Sequence, residues 1–417
     1  MIKKILSLSL VLLMLATILT GCAKEELLPA NKDSKMSYFK SDAEFIKAFE
    51  EAKKNQRNFG GGILESVGMM KTTAMVKSAA DSGTSYSNTN IQVQGVDEAD
   101  IIKTNGKYIY LISKNKLVVA QGYPGEKAKI ISTVDLGKFR PKEIFINNNQ
   151  LLVFGQNQIT FQKNKETTYP NKLDVSVMKY FTSVKLYDIS NKEKPKLLKS
   201  VDFEGNYLTS RKIGSDVYFV VNSYPHYQES GCLKMVPLYR EDSQKLKPIA
   251  KCTEIGYIKP IQAESFITLA SISMDTKKIE KETIIGSGQN VYASLSNLYI
   301  AQTTWPRYNM LGKLAKDSVQ KTIITKFNLN KGKINFQGTG EVKGKILNQF
   351  SMDEFESNFR IATTISGYSN NKDTSTNNLY VLDKELKNIG KVEKIAPGES
   401  IYSVRFMGKR AYMVTFK

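Results

Sequence analysis

Three acidic side chains, Asp97, Glu98 and Asp100, lie close enough in the sequence to suggest metal chemistry. Carboxylate oxygens are the ligands that hard cations such as Ca2+ prefer, which makes this group a weak candidate for a calcium site. Its spacing matches neither an EF-hand loop nor a calcium-binding repeat. On a strand, Asp97 and Glu98 would also point to opposite faces. We therefore predict no cofactor and expect these carboxylates to form ion pairs or hydrogen bonds between parts of the fold.

The chain contains one His, His226, which restricts both metal binding and catalysis. A zinc site needs several nitrogen or sulfur ligands, and a Ser-His-Asp triad would have to use this single residue. No Gly-x-Ser-x-Gly sequence precedes it. We predict no catalytic residue and expect His226 to lie in an exposed loop.

Aromatic residues near His226 and in a second segment predict a binding surface. The predicted surface contains Tyr224, His226 and Tyr227 in one segment, and Trp305 and Tyr308 further along the chain. Aromatic side chains in loops stack on sugars or peptides and are enriched at interfaces. The alternative is that these residues cover the core.

The chain has three Cys. Cys22 belongs to the N-terminal pattern described below, which leaves Cys232 and Cys252 as a possible pair. A disulfide between them would close a loop of roughly 20 residues and contribute on the order of 3 kcal/mol. The alternative is two reduced thiols, because disulfides depend on the compartment.

The first 21 residues have the pattern of a secretory signal. Lys3 and Lys4 precede an apolar run over residues 5–18, and small residues precede Cys22. The run is shorter than the ~20 residues that span a membrane. The Leu-Thr-Gly-Cys sequence resembles a bacterial lipobox, and the resemblance implies that Cys22 carries the lipid, such as palmitate, of a membrane-anchored lipoprotein. An uncleaved anchor or a plain signal peptide is the alternative, and either places the chain outside the cytoplasm.

The formal charge of +20 has two interpretations. Because the Lys residues are scattered, we favour a solvated surface with charged edge strands. Attraction to an anionic envelope is the alternative. Nucleic acid is not a predicted partner, since no nucleic-acid-binding motif is present.

Short β-type runs repeat along the second part of the chain, most of them after turn residues such as Asn105 and Gly106. Runs of this kind cover residues 108–112, 150–154, 217–221, 298–301, 379–382 and 411–415. Their repetition predicts an all-β fold, a β-propeller of four-stranded blades. A pair of β-sandwiches or an irregular β-solenoid is the alternative. Before these runs, Ser41 and Glu44 have the spacing of a helix capping box. The predicted segments are a signal peptide at 1–21, a tether at 22–40, a helix at 41–56, a flexible linker at 57–90 and a propeller at 91–417 with an insertion loop at about 223–251.

Residues 86–112 resemble the opening signature of a family of secreted bacterial and archaeal proteins with a β-propeller domain, distantly related to tryptophan-aspartate repeat propellers. Residues 291–301 and 403–416 are similar to internal signatures of that family. The resemblance implies a propeller and a secreted location, and it implies no activity. Because family members usually continue past the last signature, we expect a truncated product with an incomplete propeller; a natural variant with fewer blades is the alternative.

Together these features predict a lipid-anchored, non-catalytic binding or scaffold protein at the cell envelope. The expected partners are the membrane, through the lipid, and an envelope protein, peptide or glycan. The alternative is a hydrolase or lyase acting on envelope polymers through carboxylate or Tyr residues. That activity would need an acid and a base that converge on one face of the propeller.

Overall fold

The computed structural model describes residues 36–57, 91–162, 176–226, 231–258, 261, 265–304, 319–369 and 372–417. Residues Ser34–Lys417 form one compact unit. The predicted signal peptide, Cys22 and nearly all of the predicted linker lie outside the described residues. Within the described residues, no helix has the length and apolarity needed to cross a membrane.

The first elements are β1 (Ser37–Tyr38), α1 (Asp42–Arg57) and β2 (Val96–Glu98). The Ser41 hydroxyl accepts a hydrogen bond from the Glu44 amide at 3.2 Å, and the Glu44 carboxylate accepts one from the Lys40 amide at 2.7 Å. Ser41 therefore caps the helix where the sequence predicts it, while Glu44 bonds the residue before the cap instead of the amide of Ser41 itself. Residues 36–40, which the sequence assigns to the tether, are packed instead, because Phe39 is buried beside Phe45 at 5.1 Å between ring centres.

The rest of the described chain forms antiparallel blades that follow one another in sequence. The first blade contains β3 (Ile102–Thr104), β4 (Tyr108–Ser113), β5 (Lys116–Gln121) and β6 (Lys129–Asp135), with a 3-10 turn at Gly125–Lys127. The second contains β7 (Arg140–Asn147), β8 (Gln150–Gln162), β9 (Ser176–Asp188) and β10 (Lys196–Glu204). The third contains β11 (Asn206–Ile213), β12 (Asp216–Ser223), β16 (Phe266–Ser273) and β17 (Ile279–Ile285). Between β12 and β16 lie α2 (Cys232–Met235), β13 (Leu238–Glu241), β14 (Lys247–Pro248), a 3-10 turn at Cys252–Glu254 and β15 (Gly256–Tyr257).

The fourth blade contains β18 (Asn290–Ala293), β19 (Asn297–Thr304), β20 (Lys321–Asn330) and β21 (Lys333–Lys343). After a 3-10 turn at Gln349–Ser351, the fifth contains β22 (Met352–Phe355), β23 (Asn358–Ile365), the small hairpin β24 (Tyr368–Ser369) and β25 (Lys372–Asp373), β26 (Thr376–Leu382) and β27 (Asn388–Ile395). The last unit is a two-stranded hairpin, β28 (Ser400–Met407) and β29 (Arg410–Phe416).

Additional strands widen two of the sheets. The second blade is extended in the order β7-β8-β9-β10-β13-β14, and the third in the order β2-β11-β12-β16-β17-β15-β1. β15 pairs with β17 in parallel, with Gly256 opposite Ile284, and β1 pairs with β15 in the antiparallel sense. The region predicted as an insertion loop at about 223–251 therefore contributes two strands to the sheet of the second blade.

Consecutive blades pack face to face and share apolar clusters. On β12, Val217, Phe219 and Val221 belong to the cluster shared with the second blade, whereas Tyr218 and Val220 belong to the cluster shared with the fourth. A strand buried on both faces has no need of polar alternation, which explains the continuous apolar run that the sequence shows there. The all-β, bladed fold predicted from the sequence is confirmed, and the described residues form five blades, each built on four strands, and the final hairpin.

Candidate functional site

The long connections of the blades all leave from one side of the sheets. Each blade has four strands of alternating direction, so every blade starts in the same direction as the one before it. The connections between second and third strands therefore emerge on a common side, which we call the loop face. These connections cover residues 163–175, 224–265, 305–320 and 366–375 in the second to fifth blades. On the opposite side the connections are shorter: residues 148–149 and 214–215 are two-residue turns, and the longest of them cover residues 122–128 and 189–195. Functional residues concentrate on such loops when a rigid scaffold holds them.

The aromatic residues predicted to bind a ligand belong to two of these connections. Tyr224 follows β12 and is 67% exposed. Tyr227, Trp305 and Tyr308 lie outside the described residues, but the strands that flank them, β12, β19 and β20, end or begin at the loop face. Among the described residues, Tyr224 is therefore the predicted aromatic residue that the structure places on the loop face, and the prediction for the other three stays untested.

His226 is not the exposed loop residue that the sequence predicts, and this expectation is corrected. Its Nε2 lies 2.7 Å from Glu204 Oε1 and 2.9 Å from Lys179 Nζ, and its side chain is 22% exposed. Glu204 also accepts a hydrogen bond from the Leu238 amide at 2.9 Å. Burial would raise the pKa of Glu204, but the hydrogen bond and charge of His226 and the charge of Lys179 outweigh burial and hold that pKa below its ordinary value. His226 therefore fastens the start of the long connection to β9 and β10.

A second buried carboxylate, Asp202, holds the strands of the same connection. Arg240 on β13 donates from Nε to Asp202 Oδ2 at 2.6 Å, and the Ser183 hydroxyl on β9 also donates to Asp202. β13 pairs with β10 in this region, with Asp202 opposite Arg240. Charge-assisted hydrogen bonds of this kind are stronger than neutral ones. The connection is thus attached rigidly to the second blade.

Cys232 and Cys252 are joined by a disulfide in the structure, with 6.3 Å between their Cα atoms. Both Cys are buried in an apolar cluster with Phe45 of α1 and Phe266 of β16. The disulfide therefore links α2 to the 3-10 turn at Cys252–Glu254, next to the outer strands of the third blade.

The structure gives separate partners to Asp97, Glu98 and Asp100, and it does not bring their carboxylates together. Asp97 accepts a hydrogen bond from Lys103 at 2.7 Å, and Glu98 lies 3.6 Å from Arg211. Asp100 accepts from the adjacent Ile101 amide at 2.7 Å. Among the described residues, the group of metal-ligand types close enough to share an ion is Asp42, Cys232 and Cys252, and its two sulfurs are consumed by the disulfide.

These carboxylates lie on a segment that runs along the first strands of the blades, residues 91–104, which we call the inner segment. Gln92 donates to the Met352 carbonyl of the fifth blade at 3.1 Å. Leu295 of the fourth blade lies 3.0 Å from the position that a Cβ would take on Gly95. β2 pairs with β11 of the third blade, Asp100 forms a bridge with Ile144 of the second, and β3 starts the first. The inner segment thus contacts five blades in reverse order.

The sequence did not predict the exposed residues that β9 contributes to the loop face. Met178 and Tyr180, near the start of β9, are 52% and 46% exposed, and β8 and β9 extend far beyond the shorter strands of the first blade. The β-type runs recognised in the sequence cover only residues 150–154 of these two strands, so their full length and their exposed residues were not predicted. Exposed aromatic and Met side chains on a rigid support are typical of binding surfaces.

Comparison with known proteins places the fold in a family. Residues 86–417 match the beta propeller domain family. The chain belongs to this family. An uncharacterized protein of Methanocaldococcus jannaschii is 27% identical over 99% of this chain and 72% of that protein. An uncharacterized protein of Archaeoglobus fulgidus is 26% identical over 80% of this chain and 60% of that protein. Among solved structures, the N-terminal domain of Nup159 aligns with 78% of this propeller chain and 87% of that chain, at 10% identity and a TM-score of 0.23.

Proposed function

We propose that this propeller is a non-catalytic binding protein, held outside the cytoplasmic membrane by a lipid on Cys22, and that its loop face is the binding surface. The observation that carries the proposal is the placement of every long blade connection on that one side. The short turns on the other side leave little chain with which to surround a ligand.

The described part of the loop face is held in a fixed shape before any ligand arrives. The pairs His226–Glu204 and Arg240–Asp202 and the disulfide Cys232–Cys252 attach the longest connection at several points. Preorganisation lowers the entropy cost of binding, because the loop does not have to be ordered by the ligand. This arrangement supports a binding role.

The exposed side chains indicate the chemistry of the ligand. Tyr180 and Tyr224 present aromatic rings, and Met178 adds an adaptable apolar surface. Such rings stack on sugar faces or on peptide side chains, so the proposed ligands are a glycan, a peptide or a protein of the cell envelope.

Substitution of exposed Tyr residues tests the loop face. We expect Tyr180→Ala with Tyr224→Ala to weaken binding to isolated envelope fragments at least tenfold, measured by cosedimentation. Tyr123→Ala is the matched control, because Tyr123 is 64% exposed and lies in a turn on the opposite side of the first blade. If both variants bind the envelope fragments equally well, the loop face is not the binding surface.

Labelling with a fatty acid tests the anchor separately. The intact chain should incorporate labelled palmitate and fractionate with membranes, and Cys22→Ala should lose the label. Label retained by the Cys22→Ala variant would contradict lipidation at this residue without affecting the loop-face experiment.

A further inference from the structure

A cavity lies between the outer strands of the third and fourth blades. Its volume is about 180 Å³, and the residues that line it are Glu280, Lys281 and Glu282 of β17, and Lys333, Ile334 and Asn335 of β21. Both strands begin on the side opposite the loop face, because they follow the connections at residues 274–278 and 331–332. The cavity is therefore separate from the surface proposed above to bind an envelope ligand.

The wall formed by β17 presents two carboxylates to the cavity. Glu282 pairs with Leu269, which belongs to the apolar cluster shared with the fourth blade, so Glu282 faces that blade. Glu280, two residues away, faces the same way and has a cation partner, since Lys278 Nζ lies 2.6 Å from its Oε1. Glu282 has no cation partner among the described residues and accepts a hydrogen bond from the Tyr38 hydroxyl at 3.2 Å.

The electrostatics of Glu282 agree with this geometry. Removing a charged group from water without pairing it is costly. Burial raises the pKa of Glu282, and this effect outweighs the opposite effect of the hydrogen bond from Tyr38. A cation close to the carboxylate would lower its pKa instead. A positive charge is thus missing from this side of the cavity.

The facing wall, formed by β21, presents the opposite charge. Lys333 is exposed, and its ammonium group has no hydrogen-bond acceptor among the residues that the structure describes. The second cation of the lining, Lys281, lies instead over the ring of Tyr239, 5.1 Å from its centre. Glu282 and Lys333 therefore line one cavity with opposite charges that do not pair with each other.

The turn before Lys333 fixes the backbone of the two walls relative to each other. The Gly332 amide donates to the Tyr218 hydroxyl at 2.9 Å, and the Gly332 carbonyl accepts from the Ser271 hydroxyl, so the fourth blade is fastened to the third at this point. Ile334 packs against the apolar cluster that the two blades share. The gap between the walls is thus part of the fold, and it exists before any ligand arrives.

We propose that this cavity binds a small zwitterion of the α-amino acid class. The ammonium group of the ligand pairs with Glu282, and its carboxylate pairs with Lys333 and accepts a hydrogen bond from the Asn335 amide. Pockets for drug-sized ligands have volumes of roughly 300–1,000 Å³, so this cavity admits a smaller molecule. A ligand with a single charge would leave one wall without a partner, which favours a zwitterion over a metal cation or a simple anion.

Calorimetric titration of the full chain with glycine, L-alanine and D-alanine tests the proposal. At least one of these amino acids should bind saturably. Ethylammonium and propionate, which each carry one of the two charges, should bind at least tenfold more weakly. Absence of saturable binding by all three amino acids would overturn the proposal. Equal binding by either single-charge probe would also overturn it, since the cavity would then recognise one charge alone.

Two substitutions test whether the binding occurs in this cavity. Glu282→Gln keeps an acceptor for the Tyr38 hydroxyl but removes the charge, and it should weaken amino acid binding at least tenfold, as should Lys333→Gln. Glu341→Gln is the matched control on β21, because Glu341 pairs with Lys321 outside the cavity and its loss should leave binding unchanged. Cooperative urea unfolding checks that each variant folds. Unchanged binding by Glu282→Gln would overturn the proposal without affecting the loop-face experiment.

Discussion

Glu204 is a buried carboxylate whose partners come from three separate segments: Lys179 on β9, His226 after β12 and the Leu238 amide on β13. Its pKa is held below the ordinary value of 4.5. A group whose pKa is lower in the folded than in the unfolded chain stabilises the fold at a pH above its unfolded pKa. The attachment of the longest connection, residues 224–265, therefore depends on Glu204 being ionised.

Replacing Glu204 with Gln should lower the free energy of unfolding by about 3 kcal/mol at neutral pH, because Lys179 would lose a partner in a buried site. Urea denaturation measures this change. Glu385→Gln serves as the control, since the Glu385–Lys387 pair is more than half exposed and surface pairs contribute roughly 0–1 kcal/mol. A loss of equal size in both variants would contradict the role given to Glu204.

The same pair predicts a pH dependence. The stabilisation by Glu204 should be fully present above pH 4.5 and should disappear as the pH falls through its lowered pKa. The difference in unfolding free energy between the intact chain and Glu204→Gln should therefore shrink in acid. A difference that stays constant below pH 4.5 would show that packing, rather than ionisation, carries the effect.

Helix α1 is attached to the third blade by three aromatic side chains. Phe45 and Phe49 are buried together, and Phe49 lies 5.2 Å from Phe266 of β16 between ring centres. A short helix gains most of its stability from such packing rather than from intrinsic propensity. The disulfide at Cys232 and Cys252 joins the same cluster, so the helix and the longest connection stabilise each other.

Phe45→Ala should lower the free energy of unfolding by about 3–5 kcal/mol, the usual cost of removing a buried aromatic ring. Hydrogen exchange should show faster exchange throughout α1 and around α2. Lys47→Ala on the same helix has a side chain that is 77% exposed and should leave both measurements unchanged. Slow exchange in α1 of the Phe45 variant would mean that the helix does not depend on this contact.

The sequence predicts where individual strands lie, because their pattern repeats, but it does not predict how distant strands pair. The runs at residues 108–112 and 217–221 lie inside β4 and β12. They are recognisable because apolar and β-branched residues are typical of buried strands. The pairing of β13 with β10 and the contact between His226 and Glu204 join residues that share no periodic pattern. Such contacts depend on the three-dimensional path of the chain, which local composition does not encode.

Across the whole molecule, the blades are arranged in sequence order and each contacts its neighbours, as in other repeat folds. The inner segment adds contacts that do not follow this order. Gly95 allows its tight turn, since its φ is +83°, a conformation that costs other residues about 1–2 kcal/mol. The segment therefore couples the first blade to the fifth as well as to the second.

Gly95→Ala tests this coupling. The substitution should destabilise the turn and bring a Cβ to 3.0 Å from Leu295, so β2 should exchange faster and the urea m-value should fall as the blades unfold less cooperatively. Gly214→Ala is the control, because Gly214 also has a positive φ, +59°, but no atom lies within 4 Å of the added Cβ. Equal m-values in the two variants would show that the inner segment does not unite the blades.

The reverse path of the inner segment has a consequence for the order in which the chain folds. Gln92 and its partner Gln349 are 257 residues apart, and Gln92 is synthesised before any residue of the fifth blade. The first blades and their contacts with residues 96–104 can form as they are made, but the contacts of Gln92 with Gln349 and Met352 stay open until the fifth blade exists. This late step differs from strict domain-by-domain folding during synthesis. The residues that are made first are thus among the last to reach their native partners.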